Sequence, residues 1–158
     1  MRFYRLKKDD HELVQLITTW YASEWNIPAE RTAVMLASVK ENGFPFFIVL
    51  YAGEVPIGVG GLSNDVGLLV EHPRFKVYSP WVTTLYTVPE ERRKGYGALL
   101  CEKIEQEARK AGLETIYLNT DTAERLYTRL GWEKMETVSY REGSTLVMKK
   151  DLTPNPSP

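Results

Sequence analysis

Apolar positions along the chain switch between a helical and an extended spacing, and the switches mark out the elements. Leu13, Leu16, Ile17 and Trp20 recur at helical intervals and predict an amphipathic helix from Asp10 to about Trp25. Pro28 suits the first turn of a second helix running to about Val39, with Asn42-Gly43 ending it. Gly95 to Gly112 carries the clearest helical stripe. Tyr96, Leu99, Leu100, Ile104, Ala108 and Ala111 share one face. Glu102, Glu105, Gln106, Arg109 and Lys110 share the other, where Glu105 and Arg109 are a favourable pair one turn apart. A short helix follows over Ala123 to Leu130, stopped by Gly131.

Between these stripes lie runs that read as strands. Phe3 to Leu6 could be the first. Phe46 to Tyr51 and Val55 to Leu62 flank Ala52-Gly53-Glu54 and predict a hairpin. Trp81 to Val88 and Glu114 to Asn119 bracket the long helix. Glu133 to Tyr140 and Thr145 to Lys150 form a closing hairpin across Arg141 to Ser144. Ser63 to Pro80 shows neither period and reads as a long connection, of a length that is usually functional or mobile. The layout is α+β: a mostly antiparallel sheet of about seven strands with four helices packed on it. Residues 1–152 are expected to form one domain. Thr153 to Pro158 reads as a Pro-rich disordered tail.

Composition narrows the chemistry. The 158 residues carry 20 Lys and Arg against 21 Asp and Glu, a net charge of −1, so bulk electrostatics do not favour long nucleic acid. A single cysteine, Cys101, rules out an intrachain disulfide and suits a reducing, cytoplasmic setting. The two histidines, His11 and His72, are far apart, so no zinc-type metal cluster is expected. No secretory leader and no apolar run of about 18 residues appears, so no membrane association is expected.

One segment carries candidate chemistry. Leu85 to Ala98, LYTVPEERRKGYGA, is a strand, a proline stop, a basic turn with two glycines and a helix start. Unpaired N–H groups, the positive end of the helix dipole and absent Cβ atoms suit such a turn to phosphate. The pattern Arg92-x-x-Gly95-x-Gly97 also fits a solvated helix start. It is neither a P-loop nor a dinucleotide fingerprint, because the residues those require are missing.

Two stretches in the right order extend the reading. RRKGYGALL, Arg92 to Leu100, resembles the pyrophosphate-binding turn of the GNAT superfamily of acyl-CoA-dependent N-acetyltransferases. TAERLYTRLGW, Thr122 to Trp132, resembles the A-x-x-L-Y-x-x-x-G-F/W helix of the same superfamily. The resemblance implies a GNAT-like fold, acetyl-CoA as co-substrate without a metal, and transfer of acetyl to a primary amine on a small molecule or peptide. N–H groups from Arg93 through Ala98, spanning Lys94, Gly95, Tyr96 and Gly97, would hold the pyrophosphate. Arg92, Arg93 and Lys94 would add charge. Leu85, Tyr86 and Thr87 would pair with the pantetheine arm as if it were a strand. Asn119 would be a further contact, since Thr120 stands where many relatives carry Asn. Tyr127 would be the general acid for the departing thiolate. Relatives are often dimers, which leaves a homodimer open.

Rival readings accompany each role. Tyr127 shares a helix face with Ala123, Leu126 and Leu130 and fits a core aromatic equally. Asp121 and Glu124 have the spacing of a helix cap rather than of a base. Glu24, Asp65 and Glu71 fall in segments that would border the acceptor by analogy, and each also fits a surface carboxylate. Trp25 and Tyr78 are the aromatics best placed to touch an acceptor, whereas the periodicity puts Trp20 in the core. Cys101 sits at the edge of its helix's apolar stripe and is expected to pack. At the level of the whole protein, the alternatives are a non-catalytic acyl-CoA-binding module and an interaction domain whose basic turn is only a cap.

Overall fold

A computed structural model describes residues 1–152, so the Pro-rich segment 153–158 lies outside the described residues. Seven strands form one sheet: β1 (Arg2–Arg5), β2 (Phe46–Ala52), β3 (Val55–Ser63), β4 (Trp81–Thr87), β5 (Thr115–Thr120), β6 (Glu133–Tyr140) and β7 (Gly143–Asp151). Their order is β1-β2-β3-β4-β5-β7-β6. Every neighbouring pair is antiparallel except β4 and β5. Five helices accompany them: α1 (His11–Trp25), α2 (Ala29–Ala37), α3 (Leu68–Glu71), α4 (Tyr96–Lys110) and α5 (Glu124–Arg129).

The predicted stripes supply most of the buried faces, with a correction in α4: Leu99 and Ala111 of the expected apolar face are exposed, and Glu105, expected on the polar face, is buried because it meets Lys150 of β7. Ile17, Trp20 and Tyr21 of α1 and Leu100, Ile104 and Ala108 of α4 meet the continuous apolar run of β2 in the main core. Cys101 is fully buried there, and burial raises its thiol pKa, so it packs rather than reacts.

The parallel contact between β4 and β5 determines the site. These strands share one register pair, Trp81 with Tyr117, reinforced by Tyr117 N–H donating to Pro80 O at 3.0 Å. Beyond it they splay apart. On the other edge of β4, the β3 register slips between Val59 and Gly61 opposite Thr84-Leu85, and Thr84 holds a φ of 46°. This bulge adds local twist at the level where the gap opens.

Several boundaries differ from expectation. α2 stops at Ala37, because Ser38 donates both its N–H and its hydroxyl back to Met35 O. Asn42-Gly43 therefore lies beyond the helix, where Gly43 O accepts from Arg5 at 2.7 Å. The connection Ser63 to Pro80 contains α3 and a 3-10 turn at Pro73–Val77. It builds a second small core in which Val66, Leu68, Leu69 and Phe75 pack on Trp81 and Val147. The last turn is shorter than expected: Tyr140 still pairs with Gly143, leaving Arg141-Glu142 at the tip.

Candidate active site

The gap between β4 and β5 opens into two adjoining cavities. One, of about 540 Å³, is lined by Leu85, Tyr86 and Thr87 of β4, by Arg92, Arg93, Gly95, Tyr96, Gly97 and Ala98 of the basic turn, and by Leu126 and Arg129 of α5. The other, of about 550 Å³, lies between the α1–α2 corner, Asp65 to Gly67, Val82 to Leu85, the segment Leu118 to Ala123, Tyr127, and the β6–β7 tip. Glu24, Trp25 and Leu85 line both, so they mark the junction.

The first cavity has the features of an anion cradle. Among the described residues, the N–H groups of Arg93 through Ala98 have no acceptor; the first bond of this helix runs from Leu99 N–H to Gly95 O at 3.2 Å. Arg93 and Gly95 both hold left-handed backbones, with φ of 68° and 87°, which bend the chain sharply into α4. A Cβ added at Gly97 would meet nothing within 4 Å, so the face beside these amides is open. The Arg93 guanidinium has no partner among the described residues. A set of unpaired N–H groups at a helix start, with a free cation beside it, fits a pyrophosphate.

The other two basic residues of the turn are engaged. Arg92 donates from Nε to Thr87 O at 2.8 Å, pairs with Glu24 at 3.1 Å, and lies over the Tyr86 ring at 5.4 Å. It therefore braces the end of β4 against α1. Lys94 pairs with Glu91 at 2.9 Å and does not line the cavity. Sequence reasoning missed Arg129. It lies within the helix motif that carries Tyr127, lines the first cavity, and its guanidinium has no partner among the described residues.

Tyr127 lines the second cavity. Its ring is 8% exposed and packs edge-on to Trp132 at 6.0 Å, yet its hydroxyl has no partner among the described residues. Burial raises its pKa well above the usual tyrosine value, so it keeps its proton. Asn119 lines this cavity rather than the first, and its amide donates to Thr145 Oγ1 at 3.2 Å. Trp25 lies at the junction, 6.1 Å from Tyr86. Tyr78 is elsewhere: it packs on Phe75 and Tyr117 and borders a separate hollow. Glu71 is also outside the cavity, its carboxylate accepting the Arg141 N–H.

The capping assignment of Asp121 and Glu124 is overturned. α5 begins at Glu124, one residue later than expected, so Asp121 falls outside capping reach. Thr120 Oγ1 accepts the Ala123 N–H at 3.0 Å instead, and Glu124 pairs with Lys134. Asp121 is left exposed on the cavity wall without a partner among the described residues.

Among the described residues, no helix is long and apolar enough to cross a membrane, and no group of three or more His, Cys, Asp or Glu could hold a metal ion.

Solved structures with the same architecture are numerous. An aminoglycoside 6'-N-acetyltransferase complexed with coenzyme A superposes with a TM-score of 0.78 at 15% identity, covering 99% of this chain and 100% of that one. The aminoglycoside 6'-N-acetyltransferase of Enterococcus faecium gives 0.76 at 17% identity over 99% and 100%. YncA, a putative acetyltransferase of Salmonella typhimurium with its cofactor acetyl-CoA, gives 0.70 at 15% identity over 100% and 97%. At these identities the likeness is one of fold. A comparison with curated proteins found no match. Residues 10–132, most of the chain and both motif segments, match the Acetyltransferase (GNAT) family, and the protein belongs to that family.

Proposed function

We propose that the protein transfers acetyl from acetyl-CoA to a primary amine by direct attack within a ternary complex. The observation that carries this reading is the row of N–H groups from Arg93 through Ala98 without acceptors, beside a strand whose neighbour has splayed away. The pyrophosphate would sit on those amides, with Arg93 and Arg129 as its counter-charges. The pantetheine arm would run along the open edge of Leu85 to Thr87 toward the junction. Arg92 would act there as a brace, since it already holds the Thr87 carbonyl.

The chemistry forms a C–N bond at the amine and breaks the C–S bond of the thioester. The sulfur leaves with the electron pair and takes a proton from the Tyr127 hydroxyl. The amine, now bonded to acetyl, loses its proton through water, which restores the tyrosine. Tyr127 suits this role because burial keeps its proton on and its hydroxyl has no competing partner. Asp121, an exposed carboxylate lining the second cavity, would attract the incoming ammonium, which gives its proton to water.

Isothermal titration with acetyl-CoA tests the donor site, and free-thiol release with a panel of amines tests turnover. Saturable binding together with amine-dependent thiol release is expected. Binding without release from any amine would favour the non-catalytic module, and no binding would overturn both. Gly97→Val is expected to weaken acetyl-CoA binding by about tenfold or more. The new side chain stands in the open face beside the free amides. The Tm should hold, since glycine is already a costly helix residue. Unchanged affinity would place the donor elsewhere.

A further inference from the structure

The charges around the second cavity are unevenly partnered. Three carboxylates line it: Glu24, Asp65 and Asp121. Glu24 is neutralised by Arg92 at 3.1 Å and Asp65 by Arg31 at 3.2 Å. Asp121 alone has no partner among the described residues. On the other sign, Arg141 lines the same cavity, and its guanidinium makes no hydrogen bond or ion pair among the described residues. Its guanidinium lies over the face of Tyr140 at 5.1 Å.

Arg141 is held in place by its backbone. It sits at the β6–β7 tip with a φ of 54°, and its N–H is gripped by both oxygens of Glu71, at 3.2 and 3.3 Å. The tip lies across Gly67: a Cβ there would fall 2.3 Å from the Tyr140 hydroxyl and 3.9 Å from an Arg141 guanidinium nitrogen. Gly67 thus lets the hairpin close on the cavity rim and carry a free guanidinium to it. A guanidinium presents paired N–H donors that match a carboxylate.

We propose that the acceptor is a small amine that also carries a carboxylate, an amino-acid-like molecule, with the carboxylate bound by Arg141. This rests on the acetyl-transfer reading above and names the class of its acceptor. A polycationic amine such as an aminoglycoside fits poorly. Among the described residues the cavity lining offers one unpaired carboxylate, Asp121, together with the unpaired guanidinium of Arg141, which repels a polycation.

The experiment uses matched amines with and without the carboxylate, phenylalanine against phenethylamine and lysine against cadaverine, with kanamycin as the polycation. Binding to the acetyl-CoA-loaded protein and kcat/KM are both measured. The carboxylated member of at least one pair is expected to be preferred by about tenfold or more. Arg141→Asn, chosen because asparagine tolerates a left-handed backbone, should bring that ratio close to one. Arg141→Lys, which keeps the charge but not the fork, should leave an intermediate ratio and serves if the asparagine variant does not fold. The proposal is overturned if kanamycin or the decarboxylated members are preferred, if no carboxylated amine binds or reacts, or if the ratio survives in a folded variant. Acetyl-CoA affinity, measured separately on the unaltered protein, decides the underlying reading.

Discussion

Tyr127→Phe is expected to lower kcat by about a hundredfold or more while leaving the Tm almost unchanged. The two effects separate because the ring and the hydroxyl have different surroundings. The ring packs in the core, edge-on to Trp132, and phenylalanine preserves that contact. The hydroxyl has no hydrogen-bond partner among the described residues, so removing it orphans no buried group. If Tyr127 were only a core aromatic, the substitution would cost neither activity nor stability, and an unchanged kcat would remove the general-acid role. The pH profile supplies a second readout. The raised pKa of Tyr127 means that its proton is retained beyond the usual tyrosine value of 10.0. The rate should therefore climb with pH as the amine deprotonates and then hold, with no decline near pH 10 from this residue. A decline there that disappears in Tyr127→Phe would show a tyrosine ionising normally, contrary to its burial.

The parts of this molecule that follow from local pattern were legible in the sequence. The stripes of α1 and α4 and the β2–β3 hairpin needed only periodicity and turn residues. The short helix α3 was hidden because four residues are too few to display a period. The site was legible in part, because the glycines of its turn have a local reason to be there. What Arg92 does was not legible: its partners, Thr87 and Glu24, meet it only after β4 and α1 are packed. The start of α5 shows the same limit. Asp121 and Glu124 had cap spacing, yet Thr120, at the end of β5, was closer to the Ala123 N–H. Arg129 became a candidate only when α5 was seen to face the basic turn.

A buried ion pair beneath α5 carries the second large effect. Glu105 on α4 is 2% exposed, and its carboxylate meets Lys150 of β7 at 2.6 Å. The Cys101 thiol donates to it at 3.5 Å, and Arg109 stands further off at 3.9 Å. The same lysine donates to Leu130 O at the end of α5 and packs against Gly131. Lys150→Met keeps the stem and removes the charge, leaving a buried carboxylate without its nearest counter-ion. A loss of about 3 kcal/mol is expected, a fall in Tm of roughly 6–12 °C for a chain of this size. Pairing the change with Glu105→Leu should restore most of the stability, because the uncompensated charge is gone. It would not restore the donor to Leu130 O. If that bond helps to fix the helix bearing Tyr127, the double variant should fold well and still turn over more slowly, with its acetyl-CoA affinity intact. Full recovery of kcat would confine Lys150 to balancing a buried charge.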